Sequence, residues 1–324
     1  MSGFGRDTTT DEVLEGMDLA DRRFVITGAA SGLGRESARA LAAHGASVTL
    51  LARSRERAEG AVADVGAAVH GADLEPGVAD LGDLDSIRAF AESYLAGHDS
   101  VDVLINNAGV MACPFGHTAN GFETQFGTNH LGHFLLTALL YPALQAGEQP
   151  RVVTLTSAGH SRADIDLEDP NFEHSEYSPW VAYGRAKTAN ALFARELARR
   201  AGPGLLSFAV HPGGIITDLG RHLNDDLIND MADFARRRSA ATSESGQSRD
   251  MHFKTVEAGA ATQVWAATTS RLADHNGAYL ADCGVGVLGA DPGVNGYMGY
   301  LLDDEHATAL WELSERLVDQ RFDP

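Results

Sequence analysis

Phe24-Val25-Ile26-Thr27-Gly28-Ala29-Ala30-Ser31-Gly32-Leu33-Gly34 is the stretch on which the reading of this chain turns. An apolar, β-branched run passes straight into Gly28, Gly32 and Gly34, and then into an amphipathic stretch that continues to His44. That order is a strand, a tight turn and a helix start. Glycines allow the turn and let backbone N–H groups approach a pyrophosphate at the helix N-terminus. Gly28, Ser31, Gly32, Leu33 and Gly34 are therefore candidate nucleotide contacts. A plain strand–turn–helix junction, with glycines for geometry alone, is the alternative.

The pattern repeats outward from there. Apolar runs at 24–27, 47–51, 101–105, 152–156 and 205–210 alternate with helix-like stretches at 32–44, 54–65, 84–96, 121–143 and 180–200. Uninterrupted apolar strands separated by amphipathic helices imply a parallel sheet covered on both faces. The expected fold is α/β, a Rossmann-type doubly wound parallel sheet. No Pro/Ser/Gly-rich linker divides the chain and no repeat is apparent. Residues 1–20 read as an N-terminal extension and 21–324 as one domain. Into that domain are set substrate-loop insertions at about 160–179 and 215–254 and a C-terminal extension at 282–324. A final helix is expected at 305–317.

The chain has 324 residues, 44% hydrophobic and 22% charged, an ordinary globular composition. Asp plus Glu number 45 against 25 Lys plus Arg, a formal net charge of −20. Such a field repels phosphate backbones and anionic lipid, so neither nucleic acid nor membrane is an expected partner. Any anionic ligand needs a local cation. Two cysteines, Cys113 and Cys283, make no disulfide framework, and there is no secretion signal or membrane-length apolar run. A cytoplasmic location is the expectation.

The end of the second strand bears on which nucleotide is bound. An acid there would take a ribose 2′-hydroxyl, but this chain reads Leu50-Leu51-Ala52-Arg53-Ser54. The planar fork of Arg53 suits a phosphate, and Arg35, just past the glycine turn, could assist. This favours NADP(H) over NAD(H). A solvated helix-start arginine is the alternative. Ala79-Asp80-Leu81 is expected to close a third strand, with Asp80 placed to accept from an adenine amino group or to cap a helix, as Asp83 also could. Asn106-Asn107-Ala108-Gly109 follows the fourth strand and, on composition, reads first as a tight turn.

Tyr183 and Lys187 are i and i+4 on a helix-like stretch, hence on one face. A nearby ammonium stabilises a phenolate and lowers the tyrosine pKa. Only two residues are lysine, Lys187 and Lys254. With seven tyrosines, this spacing should arise by chance about 0.04 times. Ser157 ends the fifth strand; taken alone it reads first as a strand-end turn serine, though a hydroxyl there can bond a substrate oxygen. Asn129, a weak helix former, falls near one face with Phe122, Phe126 and His133.

Taken together, Thr27 to Gly34, Asn106 to Gly109, Ser157, Tyr183-Gly184-Arg185-Ala186-Lys187 and His211-Pro212-Gly213-Gly214-Ile215-Ile216-Thr217 resemble the short-chain dehydrogenase/reductase family over nearly the whole chain. Asn129-His130-Leu131-Gly132-His133-Phe134 and Leu310-Trp311-Glu312-Leu313-Ser314-Glu315 are similar to the retinol-dehydrogenase and WW-domain-oxidoreductase-like branch. The resemblance implies a catalytic tetrad of Asn129, Ser157, Tyr183 and Lys187. It also implies NADP(H) contacts from Asp80, Leu81, Asn106, Asn107, Ala108, Gly109, Pro212, Gly213 and Thr217 besides the glycine turn. In the implied reaction Tyr183 exchanges a proton with the substrate oxygen as hydride moves, and Lys187 holds the nicotinamide ribose and depresses the Tyr183 pKa. Ser157 orients the carbonyl, and Asn129 holds a relay water. Ala186 departs from the serine many members carry.

The implied substrate is a lipophilic ketone, aldehyde or alcohol, in a pocket built from 111–117, 160–179 and 215–254. Members commonly pair through helices corresponding to 121–143 and 180–200, so a homodimer or homotetramer is expected. Two other readings stand beside the NADP-dependent one. They are a catalytically silent nucleotide-binding regulator and an NAD-dependent secondary-alcohol dehydrogenase of the same fold. A metal hydrolase using Cys113, His117, His130 and His133 lacks a framing motif, and no metal is expected.

Overall fold

The computed structural model describes residues 3–242 and 252–324. Eight strands make the main sheet: β1 Arg23–Thr27, β2 Ser47–Ala52, β3 Leu74–Val78, β4 Val103–Asn106, β5 Arg151–Leu155, β6 Leu206–His211, β7 Tyr279–Ala281 and β8 Gly284–Val285. Their spatial order is β8-β7-β6-β5-β4-β1-β2-β3, parallel except for the antiparallel β7–β8 edge. Successive side chains alternate across the sheet. On β1, Val25 joins one core cluster while Phe24 and Ile26 join the other.

The principal helices are α1 Gly32–Ala43, α2 Arg55–Ala68, α3 Leu84–Gly97, α4 Gly132–Gln145, α5 Pro179–Ala201, α6 Asp225–Thr242, α7 Val256–Thr268 and α8 Asp304–Val318. Ile87 of α3, Leu135 of α4, Leu192 of α5 and Trp311 of α8 share one core. Leu41 of α1, Val65 of α2 and Val264 of α7 share the other, with Val13 and Leu14 from a short N-terminal helix, Thr10–Leu14. The doubly wound sheet is thus covered on both faces. The strand order reverses between β1 and β4, the position at which doubly wound sheets form a crevice at the carboxyl ends of their strands.

Four sequence expectations are corrected. The third strand ends at Val78, so Ala79-Asp80-Leu81 lies beyond it. The stretch 121–143 is not one helix. Gly121 adopts φ +85° in a turn, Glu123 caps Thr124–Phe126, and a π-helical turn, Gly127–Leu131, precedes α4. The polar segment 215–254 carries α6; its residues 243–251 lie outside the described residues. Helix α7 and strand β7 were not anticipated, because α7 is buried almost all round and shows no polar face, and β7 is three residues long.

Helix α8 lies on α4 and α5, the pair expected to meet a second subunit. Trp311 stacks on Phe193 at 5.7 Å between ring centroids, meets Phe134 edge-on at 5.0 Å and stacks on Phe322 at 4.8 Å. The chain therefore covers this apolar face with its own C-terminal helix. No helix among the described residues is long and apolar enough to cross a membrane. Trp311→Ala removes a fully buried indole and is expected to lower unfolding stability in urea by about 3–5 kcal/mol. A loss under about 1 kcal/mol would show that α8 is not part of the cooperative core.

Candidate active site

The crevice begins where β1 stops. Gly28 adopts φ +66°, and a Cβ there would stand 2.8 Å from the Ala108 Cα. A Cβ on Gly34 would lie 2.5 Å from the Gly28 carbonyl oxygen. Both glycines are thus required for the turn to close against the chain leaving β4. The Thr27 hydroxyl accepts the N–H groups of Asn107 and Ala108, each at 2.9 Å, and lies 2.9 Å from Nε2 of His133. On its other side His133 Nδ1 lies 2.8 Å from the Asn129 carbonyl oxygen. A carbonyl can only accept, so Nδ1 carries the proton and Nε2 accepts from Thr27. Burial pushes His133 down to about 4, which keeps the ring neutral.

Several expected nucleotide residues prove to have structural roles in their side chains. Asn106 is buried and its amide donates to Thr137 at 3.0 Å. Asn107 donates to the Thr27 carbonyl at 2.8 Å. The turn reading of this motif is therefore the one its asparagine side chains follow, leaving backbone and Gly109 toward the crevice. Arg35 pairs with Asp64 at 2.7 Å on the exposed surface. Arg53 stands exposed immediately after β2 with no ion-pair partner among the described residues, while the next residue, Ser54, caps α2. Asp83 caps α3, and the exposed Asp80 accepts from the Gly82 N–H through one oxygen at 2.9 Å. Leu81 is buried behind it. Ser31 is extended at the N-cap of α1 with no side-chain cap bond. Pro212, Gly213 and Thr217 lie on the turn after β6. A Cβ on Gly32 would come within 3.3 Å of Thr217 Cγ2, so this turn reaches back over the start of α1, beside Leu33.

The reactive end is assembled from three elements. Ser157 follows β5, Asn129 sits in the π-helical turn, and Tyr183 and Lys187 point from α5; Asn129, Tyr183 and Lys187 are buried. Asn129 clamps Val110 through both its main-chain groups, at 2.8 and 2.9 Å. A Cβ on Gly109 would meet Asn129 Oδ1 at 3.2 Å and Lys187 Nζ at 3.7 Å, which ties the turn after β4 to the tetrad. Gly159 was missed. A Cβ there would lie 2.8 Å from the Tyr183 ring, so only glycine lets that ring approach Ser157. Tyr183 clusters with Trp180 and Ala112, and Met111, Leu223, Leu227 and Met231 pack against that cluster. Segment 160–179 supplies Arg162 instead, which holds α6 through Asp230 at 2.9 Å and lies over the Phe234 ring at 4.1 Å. The spacing of Leu223, Leu227, Met231 and Phe234 was a helical signal inside a segment that reads as polar. His130 bonds Ser314 and His133 bonds Thr27, so the two imidazoles are not available together.

The short chain dehydrogenase family model matches residues 22–228. A "Probable oxidoreductase" of Streptomyces antibioticus is 38% identical over 300 residues, 91% of this chain and 97% of the relative. Human retinol dehydrogenase 12 is 39% identical over 268 residues, 82% of this chain and 79% of the relative. This chain belongs to the short-chain dehydrogenase family. It falls in the retinol-dehydrogenase-like branch. Among solved structures, a Mycobacterium paratuberculosis protein superimposes with a TM-score of 0.72 at 34% identity, covering 98% of this chain and 99% of that one. A crystal structure described as an NAD(P) dependent gluconate 5-dehydrogenase from Beutenbergia cavernae, with bound NADP, gives 0.62 at 27% identity, covering 82% and 96%.

Electrostatically the tetrad differs from the sequence expectation. Burial pushes Tyr183 up to about 12, opposed by hydrogen bonding with Ser157. Lys187 Nζ donates to the Leu155 carbonyl at 2.9 Å and lies 5.8 Å from the Tyr183 ring centroid. The net direction for Tyr183 is therefore upward, with desolvation the leading cause, against the expectation of a lowered value. Burial also pushes Lys187 from 10.5 down to about 8. Holding it charged at neutral pH costs on the order of 3 kcal/mol. A lowered lysine pKa means the unfolded chain binds more protons between pH 8 and 10.5, so stability rises with pH across that window. Lys187→Met is expected to raise the thermal midpoint of the unliganded protein at pH 7, since Asn190 still satisfies Leu155 at 3.0 Å. A lower midpoint would mean that the charge is compensated.

Proposed function

We propose that the chain is an NADP(H)-dependent oxidoreductase that interconverts a lipophilic ketone or aldehyde and the corresponding alcohol. The observation that carries this reading is the burial of Tyr183 and Lys187 on one face of α5 beside Ser157, at the carboxyl ends of the strands where the sheet order reverses. The residues fit a dinucleotide. The close approaches at Gly28, Gly32 and Gly34 leave backbone in place of side chains at the start of α1, and Arg53 stands free at its rim. Arg53 would hold a 2′-phosphate, Asp80 an adenine amino group, the turn from Asn106 to Gly109 the adenosine ribose, Lys187 the nicotinamide ribose, and Pro212, Gly213 and Thr217 the nicotinamide. When bound, that cofactor supplies or accepts the hydride.

The chain supplies the proton and the orientation. In reduction the Tyr183 hydroxyl donates to the substrate oxygen, and in oxidation the phenolate takes the proton back. Its raised pKa keeps the acid form populated at neutral pH. Ser157 bonds the same oxygen and fixes its direction. Asn129, through its clamp on Val110, holds the wall opposite. Trp180, Met111, Leu227 and Met231 offer an apolar surface, which agrees with a lipophilic substrate, as does the name of the retinol dehydrogenase relative.

Two measurements test the reading. Tyr183→Phe removes the acid while keeping the ring, and is expected to lower kcat for carbonyl reduction by about 10²–10⁴-fold with NADPH binding unchanged. Turnover at the wild-type rate would refute the mechanism. The wild type is expected to prefer NADPH to NADH in kcat/KM, and Arg53→Ala to lower the NADPH value about tenfold or more with little effect on NADH. A preference for NADH would refute the cofactor assignment.

A further inference from the structure

The other lysine of the chain, Lys254, is also buried beside the candidate active site. Its side chain is 3% exposed, and Nζ pairs with Asp282 Oδ1 at 2.5 Å. Asp282 follows β7 and holds a left-handed conformation, φ +50°. The Lys254 stem runs beneath the turn after β6. Gly213 there adopts φ +101°, and a Cβ on it would lie 2.7 Å from Lys254 Cε and 3.2 Å from Nζ. Gly214 and Ile215 pair in a short parallel ladder with Phe253 and Lys254. His211 Nδ1 faces the Gly213 N–H at 3.4 Å, which requires a neutral ring with Nδ1 unprotonated. Burial first, then the Lys254 charge, keeps His211 neutral.

The rest of that turn touches the nucleotide end. A Cβ on Gly259 of α7 would meet Ile215 at 2.5 Å and Leu33 at 2.9 Å, so Ile215 is wedged between α7 and the start of α1. The turn from Pro212 to Thr217 thus spans the crevice, and its anchor on the sheet side is the Lys254–Asp282 pair. The Lys254 ammonium is turned toward Asp282 and its stem is covered by Gly213.

We infer that Lys254 and Asp282 are positioning residues that hold the Pro212–Thr217 turn in the shape that receives the nicotinamide half of the cofactor. The inference rests on the NADP(H) reading above. Removing the pair should free the turn while leaving the residues assigned to the adenosine end, Arg53 and Asp80, in place. The two halves of the dinucleotide should therefore respond differently, whereas a general loss of structure would weaken both.

The test measures dissociation constants calorimetrically for NADPH and for 2′-phospho-ADP-ribose, which lacks nicotinamide, with the full-length wild type, Lys254→Met and Asp282→Asn. The expected result is an NADPH Kd raised about tenfold in either variant, with the Kd for the fragment within about twofold of wild type. Should Lys254→Met fail to fold, Asp282→Asn reads the same pair with a near-isosteric change. An unchanged NADPH Kd in a folded variant, or equal weakening of both ligands, overturns the inference and leaves the cofactor reading standing. A wild type that binds neither ligand overturns the cofactor reading and this inference with it.

Discussion

The Thr27 hydroxyl sits where β1 ends and the sheet order reverses. It closes the gap to β4 by accepting the N–H groups of Asn107 and Ala108 while donating to Nε2 of a neutral His133. His133 passes the connection on to the Asn129 carbonyl. Every member of this relay is buried or nearly so, and a buried polar group left unpaired is costly. The relay therefore has little freedom to rearrange. It joins the glycine turn at one end of the crevice to the π-helical turn at the other, so the nucleotide and reactive ends hold a common geometry. The π turn places Asn129 against Val110, which a regular helix through 121–143 would not require.

Around this frame the electrostatics are set by burial more than by partners. The −20 net charge belongs mostly to the surface. Inside the site, desolvation holds His133 and His211 neutral, favours protonated Tyr183, and lowers Lys187 toward neutrality. A buried lysine held this way reduces folding stability. The apolar contacts above Tyr183 are stabilised differently. Helix α6 is attached by Arg162, which reaches Asp230 and the faces of Trp180 and Phe234.

Much of the fold was legible because its strands are continuous apolar runs and its turns are marked by glycine. The order of elements and the chemical types at Ser157, Tyr183 and Lys187 could be read without coordinates. Helix α7 could not, because burial on all sides removes the polar face that gives a helix its signature. Helix α6 could have been, since Leu227, Met231 and Phe234 keep helical spacing, but the charges around them mask it. Asn106 and Asn107 read either as ligand or as turn, and the choice depended on whether Thr27, Thr137 and Thr154 were close enough to take their hydrogen bonds.

By itself the sequence determined the parallel α/β sheet, the glycine turn after β1, and a tyrosine and a scarce lysine on one helix face. Those features depend on local periodicity, on glycine's freedom at positive φ, and on i to i+4 spacing. Tertiary structure alone decided the partners of the cations, with Arg35 paired to Asp64 and Arg53 without an ion-pair partner among the described residues. It also decided that Lys187 bonds the Leu155 carbonyl, that Lys254 meets Asp282 beneath Gly213, and that α8 covers α4 and α5. Each of these depends on distances between residues remote in the chain, and on how far water is excluded between them. Neither quantity is carried by spacing along the sequence.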